Sequence, residues 1–378
     1  MNSIGPKISH LGTKSSEKGH REFARLQKNQ EEQPLPKTIP NPLRGQILDL
    51  GVPLPCDDAR GVETLLGRCP AYRQTPLVQV PQLAARTGVA EVWVKDESNR
   101  MGLGSFKALG AAFAIAREAS TLGNAGPSAL SGRTYVTASA GNHGLSVAAG
   151  AALFGARAVI YLSKTVPHAF AERLRAKGAE VVIQGETYED SMAAAMEAAS
   201  VQGWTLLSDS SWQGYFEMPY RVMEGYLMLA EETVRQMPVP PTHILLQAGV
   251  GGLAASAAAL FRKAWGDAPV MIVVEPEYAP AIQQSLVAGR AVDTKGPVSN
   301  MGRLDCKTPS LIALAGLARD ADLACTITED EATEGVRVLV ELGIETTPSG
   351  GAGLAALIAG LDLSPDARVL AIVSEGAA

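Results

Sequence analysis

The hydrophobic pattern from about residue 70 onward alternates between short apolar runs and longer segments with helical periodicity. The short runs are rich in Val, Ile and Leu and predict strands: VWVK (92–95), TYVTA (134–138), AVIYL (158–162), EVVIQ (180–184), HILLQAG (243–249), MIVVEPE (271–277) and RVLAIVSEG (368–376). Alanine-rich segments between them predict helices at 106–120, 143–154, 167–177, 187–202, 219–236, 252–265, 328–341 and 349–360. Strands that alternate with helices predict an α/β fold with parallel sheets covered by helices on both faces.

The first 45 residues follow a different pattern, rich in Lys, Glu, Gln and Pro. Such a composition cannot bury enough apolar surface to form a core, so residues 1–45 are interpreted as a polar, flexible extension. The full 378 residues exceed the roughly 250–300 at which a single core stops growing, which favours two domains that share a cleft. Ligands of parallel sheets bind beyond the carboxyl ends of the strands, and three glycine-containing strand-to-helix junctions lie at such positions.

Composition and charge argue against nucleic-acid binding, membrane insertion and secretion. The net charge of −6 provides no basic surface for nucleic acid or for an anionic membrane. No run approaches the roughly 18–20 apolar residues of a membrane span, and Met1–Ser9 has no apolar segment typical of a signal peptide. The four cysteines are Cys56, Cys69, Cys306 and Cys325. They have neither CxxC spacing nor histidine partners, so no metal site is predicted. Without a signal peptide, we expect reduced thiols and a cytoplasmic location.

The first junction carries a lysine at the start of a predicted helix. A strand ending at residues 95–97 is followed by a glycine-containing loop and by Ser105-Phe106-Lys107, with Ser105 as the predicted N-cap. The partial positive charge of a helix N-terminus, together with burial, lowers the pKa of a lysine ammonium and frees the amine as a nucleophile. Local chemistry alone favours the ordinary alternative, a lysine that extends to solvent.

The second junction, ASAGNHG (138–144), joins a predicted strand to an alanine-rich helix. Small residues let the backbone approach a ligand closely, and N–H groups at a helix start suit a substrate carboxylate. The Asn142 side chain can donate to a phenolate oxygen. An ordinary connection between strand and helix fits the loop equally well. The substrate-binding candidates are Ser139, Ala140, Gly141, Asn142 and His143.

The third junction is glycine-rich and follows the strand predicted at 243–249. Backbone N–H groups at such a turn suit a phosphate, although a tight turn without a ligand also fits. The spacing is not GxGxxG and the motif lies too late in the chain for a first dinucleotide-binding unit, which disfavours a Rossmann dehydrogenase. The phosphate-binding candidates are Gly249, Val250, Gly251 and Gly252.

Together these motifs resemble those of fold-type II (tryptophan-synthase-β-like) pyridoxal-5′-phosphate (PLP) enzymes over about residues 70–376. The segment KDESNRMGLGSFKALGAA (95–112) is most similar to the PLP-lysine motif of diaminopropionate ammonia-lyases. The resemblance implies that Lys107 carries the cofactor, that Phe106 packs on its pyridine face and that Asn142 binds its O3′ oxygen. It also implies that the glycine loop 249–252 holds the phosphate and that Ser374 hydrogen-bonds the pyridine nitrogen.

The same resemblance implies two α/β domains, each a parallel sheet with helices on both faces, with the cofactor in the cleft between them. The large PLP-binding domain is expected at residues 46–108 and 205–378, and a small mobile domain at residues 109–204. Family analogy further implies a homodimer.

Two segments bear on the substrate. ASAGNHG is similar to the loop of serine/threonine dehydratases. In diaminopropionate ammonia-lyases an aspartate occupies the position of Ala140 and serves as the base for D-enantiomers. The absence of that aspartate here favours an L-amino acid as substrate. The stretch WTLLSDSSWQGYFEMPYRVMEGY (204–226) resembles the ammonia-lyases and places Asp209 near the substrate. Asp209 is therefore a candidate catalytic residue that faces a β-ammonium group, or else it caps the following helix.

A third segment, MGRLDCKTPS (301–310), resembles the family's MAGLxCGEPS. Arg303, Lys307 and Thr308 replace glycine, glycine and glutamate, which adds two positive charges and removes a negative one. If this segment borders the active site, it favours a more anionic substrate than diaminopropionate.

The implied activity is that of a PLP-dependent lyase. Lys107 removes the Cα proton of a small L-amino acid, the β-substituent leaves, and a 2-oxo acid and ammonia are released. Two alternatives stay open: a β-replacement synthase, in which a second nucleophile adds to the substrate, and a catalytically silent PLP-fold protein that binds a metabolite.

Overall fold

The computed structural model describes residues 37–123 and 126–377. The strands in this part of the chain are β1 Lys37–Pro40, β2 Leu77–Gln79, β3 Glu91–Asp96, β4 Thr134–Ala138, β5 Arg157–Leu162, β6 Glu180–Ile183, β7 Thr205–Leu206, β8 His243–Gln247, β9 Val270–Pro276, β10 Leu323–Ile327 and β11 Arg368–Val373. They form a seven-stranded sheet in the order β1-β10-β9-β8-β11-β3-β2 and a four-stranded sheet in the order β6-β5-β4-β7.

The α-helices between these strands cover the sheets. They span Arg60–Leu66, Pro81–Thr87, Gly110–Thr121, Asn142–Leu153, His168–Ala176, Tyr188–Gln202, Glu217–Gln236, Gly252–Trp265, Ala281–Ala288, Leu311–Asp320, Glu329–Glu341 and Ala352–Ile358, with 3₁₀ turns at Arg100–Gly102 and Phe106–Leu109. In the described part of the chain, no helix combines the length and hydropathy of a membrane span.

The predicted α/β class with parallel sheets is confirmed. Each of the seven strands predicted from apolar runs is present. Inner strands of a parallel sheet are buried on both faces; β4, for example, is buried along its whole length, whereas the edge strand β6 is only partly buried. The larger sheet departs from the prediction only at its edges, where β1 and β2 pair antiparallel with their neighbours.

The prediction of a flexible extension is wrong for residues 37–45. The strand β1 pairs with β10, and the buried Asn41 side chain donates to three backbone carbonyl groups at the end of the helix Leu311–Asp320, at 2.7–3.2 Å. The segment KTIP contains no apolar run, so its strand conformation comes from the partner strand rather than from its own sequence. Residues 1–36 lie outside the described residues.

The two sheets draw on separate parts of the sequence. Strands of the larger sheet come from residues 37–96 and 243–373, and those of the smaller sheet from residues 134–206. The domain boundaries predicted at 108/109 and 204/205 stay a prediction. The helix Glu217–Gln236 packs on the helices Gly110–Thr121 and Gly252–Trp265, so it borders the strand ends at which the three junctions lie.

Candidate active site

The loop that carries Lys107 is fastened to the end of β11. The Phe106 N–H donates to the Ser374 carbonyl oxygen at 3.0 Å, and Ser105 forms an isolated antiparallel bridge with Glu375. Ser105 occupies the N-cap position, as expected, but its side chain makes no cap hydrogen bond, and its buried hydroxyl has no partner among the described residues. Lys107 lies in the 3₁₀ turn Phe106–Leu109, held in place by main-chain contacts with β11.

The Lys107 turn packs closely against the helix Glu217–Gln236, which forms one wall of the cleft. Gly225, in the helix Glu217–Gln236, touches this turn: a Cβ at position 225 would lie 2.1 Å from the Leu109 carbonyl oxygen. On the next residue, the Tyr226 ring packs edge-on against Phe106, with 4.9 Å between the ring centroids. The Lys107 Nζ atom lies 5.2 Å from the Phe106 centroid and 5.6 Å from that of Tyr226.

The Lys107 ammonium forms an ion pair with the Asp209 carboxylate. Burial lowers the pKa of Lys107, but the charge of Asp209 and the influence of Tyr226 outweigh burial, so the pKa is raised. The expectation of a lowered pKa is therefore wrong for the protein without a bound ligand, because the sequence did not reveal the carboxylate opposite the lysine. Burial alone would raise the pKa of Asp209, and the charge of Lys107 reverses this and lowers it.

Asp209 lies in a loop whose backbone is fixed on both sides. The Ser208 N–H donates to the Tyr215 hydroxyl, which itself donates to the Leu206 carbonyl oxygen. On the other side, Ser211 N–H donates to the Ser310 hydroxyl at 3.0 Å. The geometry thus favours a carboxylate held in place opposite Lys107 over one that caps a helix.

The loop ASAGNHG follows β4 of the smaller sheet and brings His143 close to Asp209. His143 is buried; its Nε2 atom lies 2.8 Å from the Leu207 carbonyl oxygen and its Nδ1 atom 4.0 Å from Asp209 Oδ2. Burial lowers the pKa of His143, which favours the neutral ring. The Asn142 amide donates to the Glu375 carboxylate, which connects this loop with the end of β11.

Backbone donors in the two glycine-containing loops are available for anions. Among the described residues, the N–H groups of Gly141, Asn142 and His143 have no acceptor, and the same holds for Gly249 and Gly251. Gly251 has a φ of +94°, a conformation that side-chain-bearing residues rarely adopt. Both sets of donors lie at helix N-termini, which favours negatively charged ligands.

The polar atoms around Lys107 fit a polar cofactor. The Tyr226 hydroxyl, the His143 Nδ1 atom and the Thr137 hydroxyl are buried and have no hydrogen-bond partner among the described residues. Buried polar groups are normally satisfied, and unsatisfied ones require an explanation. A group with a phosphate and a polar ring, held on Lys107, matches both these atoms and the free N–H groups of the glycine loop 249–252.

Three residues near Lys107 were not found from the sequence. Burial and the charges of Asp209 and Cys306 raise the pKa of the Tyr188 hydroxyl, although 55% of the residue surface is exposed. Burial and the charge of Asp209 raise the pKa of the Cys306 thiol to about 12. Tyr226 forms the wall described above. Cys306 and Tyr226 lie in segments that resemble the ammonia-lyases, but only the tertiary packing brings them to the cleft, and no motif marks Tyr188.

The three residues that differ from MAGLxCGEPS, namely Arg303, Lys307 and Thr308, make different kinds of contact. The Lys307 ammonium binds Asp305 at 2.6 Å and two backbone carbonyl groups, and the Thr308 hydroxyl donates to Asp293 at 2.8 Å. Both side chains are thus engaged in contacts within the segment and its neighbours. Arg303 faces the cleft, beside Gly141 and Glu375. The predicted link to substrate charge therefore applies to Arg303 alone.

Comparison with known proteins extends these findings. The family model described as "Pyridoxal-phosphate dependent enzyme" matches residues 69–375. Diaminopropionate ammonia-lyase of Escherichia coli (strain K12) is 34% identical over 337 residues, which cover 81% of this chain and 85% of that protein. A serine dehydratase-like protein of Rattus norvegicus is 29% identical over 295 residues, 77% of this chain and 84% of the relative. One similar solved structure is the crystal structure of the Escherichia coli ammonia-lyase in complex with an aminoacrylate–PLP azomethine reaction intermediate. It superposes on this chain with a TM-score of 0.81 at 32% sequence identity, and the match covers 90% of this chain and 94% of the other.

Proposed function

This chain belongs to the family of pyridoxal-phosphate dependent enzymes, and from that membership we propose that it is a lyase that eliminates the β-substituent of a small L-amino acid. Its cofactor is PLP and its fold is that of the fold-type II enzymes, as the sequence motifs predicted. The observation that carries the proposal is the Lys107–Asp209 pair at the bottom of a cleft lined by unsatisfied polar atoms.

The residues of this chain divide the task of holding the cofactor. Lys107 Nζ is the covalent attachment point, and the N–H groups of the glycine loop 249–252 receive the phosphate. Phe106 would pack on the ring, Asn142 would donate to its O3′ oxygen, and the Ser374 hydroxyl would contact its nitrogen. When bound, PLP supplies an electron-accepting ring conjugated to the substrate nitrogen, which acidifies the Cα proton.

Substrate binding and proton transfer fall to the neighbouring residues. The loop 139–143 binds the substrate α-carboxylate through the free N–H groups of Gly141, Asn142 and His143, at the start of the helix Asn142–Leu153. Lys107 Nζ, as a free amine, would take the Cα proton, and Asp209 would stabilise the ammonium that results. The buried His143 ring lies beside Asp209, with its Nδ1 atom 4.0 Å from the carboxylate. Ala140, in place of an aspartate base, restricts the reaction to L-enantiomers.

The net reaction balances without an oxidant or a reductant. The Cα–H bond and the bond from Cβ to the leaving group break, and the leaving group departs with a proton. The released enamine tautomerises to an imine, which takes up one water and releases ammonia to give a 2-oxo acid. A β-hydroxy substrate therefore loses one water and regains one, whereas a β-amino substrate consumes one water and yields two ammonia molecules.

The enzyme is further proposed to act as a cytoplasmic homodimer. Family analogy supports the dimer, and the four cysteines, which form no disulfide among the described residues, are compatible with a reducing compartment. Light scattering of the purified protein tests the dimer, because a monomer mass over a range of concentrations would exclude it.

The decisive experiment combines cofactor absorbance with ammonia release. Wild-type protein, the Lys107→Ala variant and the control Lys164→Ala, which removes an exposed lysine paired with Glu186, are incubated with PLP and passed through a desalting column. L-2,3-diaminopropionate, L-serine, L-threonine and L-3-hydroxyaspartate are then added in turn. Wild type and Lys164→Ala should retain the cofactor band and release ammonia, and Lys107→Ala should lose the band and about 10³-fold or more in rate.

Three outcomes would contradict the proposal. Retention of the band in Lys107→Ala would reject Lys107 as the attachment point. Ammonia release that requires an added nucleophile would indicate a β-replacement synthase. A cofactor band without turnover of any amino acid would indicate a catalytically silent binding protein.

A further inference from the structure

Two arginine side chains converge on one phenylalanine at the mouth of the cleft. Arg303 comes from the loop before the helix Leu311–Asp320, and its guanidinium carbon lies 5.5 Å from the Phe170 ring centroid. Arg173 comes from the helix His168–Ala176, which also carries Phe170, and lies 5.9 Å from the same centroid. The loop follows strands of the larger sheet and the helix flanks the smaller one, so the two arginines face each other across the cleft.

The hydrogen-bonding capacity of both guanidinium groups is unused. Within the described residues, neither Arg173 nor Arg303 donates a side-chain hydrogen bond, and the nearest carboxylate oxygen to Arg303 is Glu375 Oε2, at 3.7 Å from Nε. Glu375 is already engaged, because it accepts from the Asn142 amide and from the Thr347 hydroxyl. An arginine has five N–H donors, so these two side chains offer a set of donors that the protein itself does not satisfy.

The donors open onto a small cavity beside the cofactor-binding residues. The cavity has a volume of about 50 Å³ and is lined by Gly104, Asn142, Arg173, Arg303, Thr347 and Glu375. A water molecule needs roughly 10–15 Å³ by this measure, so the space accepts about four water-sized groups. A carboxylate with one neighbouring hydroxyl has that size, whereas an aromatic ring does not.

The position of Arg303 relates this cavity to the substrate. A Cβ on Gly141 would lie 3.1 Å from Arg303 Nη1, so the guanidinium is in contact with the loop whose N–H groups are available for the α-carboxylate. A second negative charge on the same substrate, one or two bonds further from Cα, would therefore reach the two arginines. Arginine is the residue best suited to it, because its planar donors match both oxygens of a carboxylate.

We propose that Arg303, assisted by Arg173, binds a carboxylate on the β-carbon of the substrate, so that the lyase acts on dicarboxylic amino acids of the 3-hydroxyaspartate type. The inference rests on the proposed function for its chemistry and goes beyond it in naming the substrate class. Elimination of water from L-3-hydroxyaspartate and hydrolysis of the resulting imine give oxaloacetate and ammonia, with one water lost and one taken up.

Binding of non-reactive amino acids tests the inference independently of elimination. L-aspartate carries the β-carboxylate but no leaving group, and L-asparagine replaces that carboxylate with a neutral amide of equal size. The Kd of each is measured from the change in cofactor absorbance of the holoenzyme. Wild type should bind L-aspartate more tightly than L-asparagine by about tenfold to a hundredfold, the range expected for charge-assisted hydrogen bonds.

Matched variants locate this preference. Arg303→Gln should remove most of the aspartate-over-asparagine ratio, and Arg173→Gln a smaller part of it. Arg175→Gln is the control, because Arg175 lies on the same helix and pairs with Glu172 at the surface; it should leave the ratio unchanged. In turnover, Arg303→Gln should lower kcat/KM for L-3-hydroxyaspartate at least tenfold more than kcat/KM for L-serine.

The experiments distinguish failure of the inferred dicarboxylate specificity from failure of the proposed lyase function. Equal weakening of L-aspartate and L-asparagine in Arg303→Gln would show that Arg303 binds the α-carboxylate, and an unchanged ratio would show that it binds neither; either result overturns the inference and leaves elimination from other amino acids intact. Absence of ammonia from every amino acid, with the aspartate preference retained, would instead reject the proposed function. The cofactor band of each variant reports that its site is folded.

Discussion

Lys95 and Lys107 each pair with a carboxylate, and their surroundings differ in how completely the donors are satisfied. Lys95 has a fully buried side chain, and its ammonium donates to Glu232 at 2.6 Å, to the Gln236 side chain at 2.9 Å and to the Thr75 carbonyl oxygen at 2.8 Å. Lys107 is partly exposed and has the single carboxylate partner Asp209.

The neighbours of Lys95 form a closed ionic cluster, here called the Glu232 cluster, which consists of Lys95, Glu97, Arg100 and Glu232. Arg100 donates from Nε, Nη1 and Nη2 to both carboxylates, at 2.6–2.8 Å. Burial lowers the pKa of Lys95, and the charge of Glu232 offsets only part of this. The two positive and two negative charges cancel, so the cluster offers nothing to a ligand.

The comparison shows that burial with a carboxylate does not define a reactive lysine. The lysine of the Glu232 cluster has an acceptor for each of its three N–H donors, whereas the Lys107 site leaves donors and nearby polar atoms unpaired. A buried polar group without a partner costs about 1–3 kcal/mol in stability. The Lys107 site bears this cost, and the polar groups of a cofactor and a substrate can relieve it.

The largest effect on stability is expected from removing the carboxylate that Lys95 and Arg100 share. Glu232→Gln leaves Lys95 without its carboxylate partner and leaves two buried cations with the single negative charge of Glu97. The free energy of unfolding should fall by about 3–5 kcal/mol, the usual cost of breaking a buried ion pair. Urea denaturation of the apoprotein measures this change.

The control for that variant is Glu231→Gln, one residue earlier in the same helix. Glu231 pairs with Arg235 at the surface, at 2.8 Å. Exposed pairs contribute about 0–1 kcal/mol, so its loss should be small. Equal effects of the two substitutions would mean that the Glu232 cluster is not what stabilises this region.

The corresponding change at the cleft, Asp209→Asn, should separate activity from stability. We expect kcat to fall about 10²-fold, equivalent to about 2.7 kcal/mol in activation free energy, because the ammonium formed at Lys107 loses its stabilising charge. The free energy of unfolding should change by less than in Glu232→Gln. Steady-state kinetics and denaturation of the same preparations test both points.

The pH dependence of the Lys107–Asp209 pair provides a sharper test. The pKa of Asp209 is lowered, so its contribution to stability is present above the unfolded value of about 3.9 and is lost as the pH falls through the folded value. The pKa of Lys107 is raised, so its contribution is fully present below the unfolded value of about 10.4 and is lost as the pH rises through the folded value. Denaturation of apoprotein should therefore show the largest difference between wild type and Asp209→Asn between about pH 5 and pH 9. A difference that grows toward pH 3 would contradict the pair.

The smallest expected effect compares two tyrosine hydroxyl groups. The Tyr72 hydroxyl donates to Glu232 at 2.7 Å, whereas that of Tyr226, beside Lys107, is buried without a partner in the described part of the chain. Tyr72→Phe should cost about 1 kcal/mol in the apoprotein, and Tyr226→Phe should be neutral or slightly stabilising. Thermal unfolding measures both, and a larger cost for Tyr226→Phe would reveal a hydrogen bond that the structure does not show.

The sequence was informative where function depends on local motifs. The strands β4 and β11 follow from their apolar runs, and Lys107 follows from the segment that precedes it. The strand β1 was not predicted, because a segment with Lys, Thr and Pro adopts a strand conformation only next to β10. Asp209 stayed ambiguous for the same kind of reason: its role depends on which side chain faces it, and Lys107 lies 102 residues away in sequence.

The position of β11 in the sheet has a consequence for protein synthesis. This strand lies between β8 and β3, and it alone joins β3, with the attached lysine loop, to the other parallel strands of its sheet. The ribosome completes β3 about 270 residues before β11, an interval on the order of 10–50 s at ordinary elongation rates. The strands of the smaller sheet are contiguous and can assemble in the meantime, but the lysine loop gains its hydrogen bond and bridge with the end of β11 only when that strand emerges. A prematurely terminated chain therefore has no completed active site, so translational errors of this kind produce no partially active enzyme.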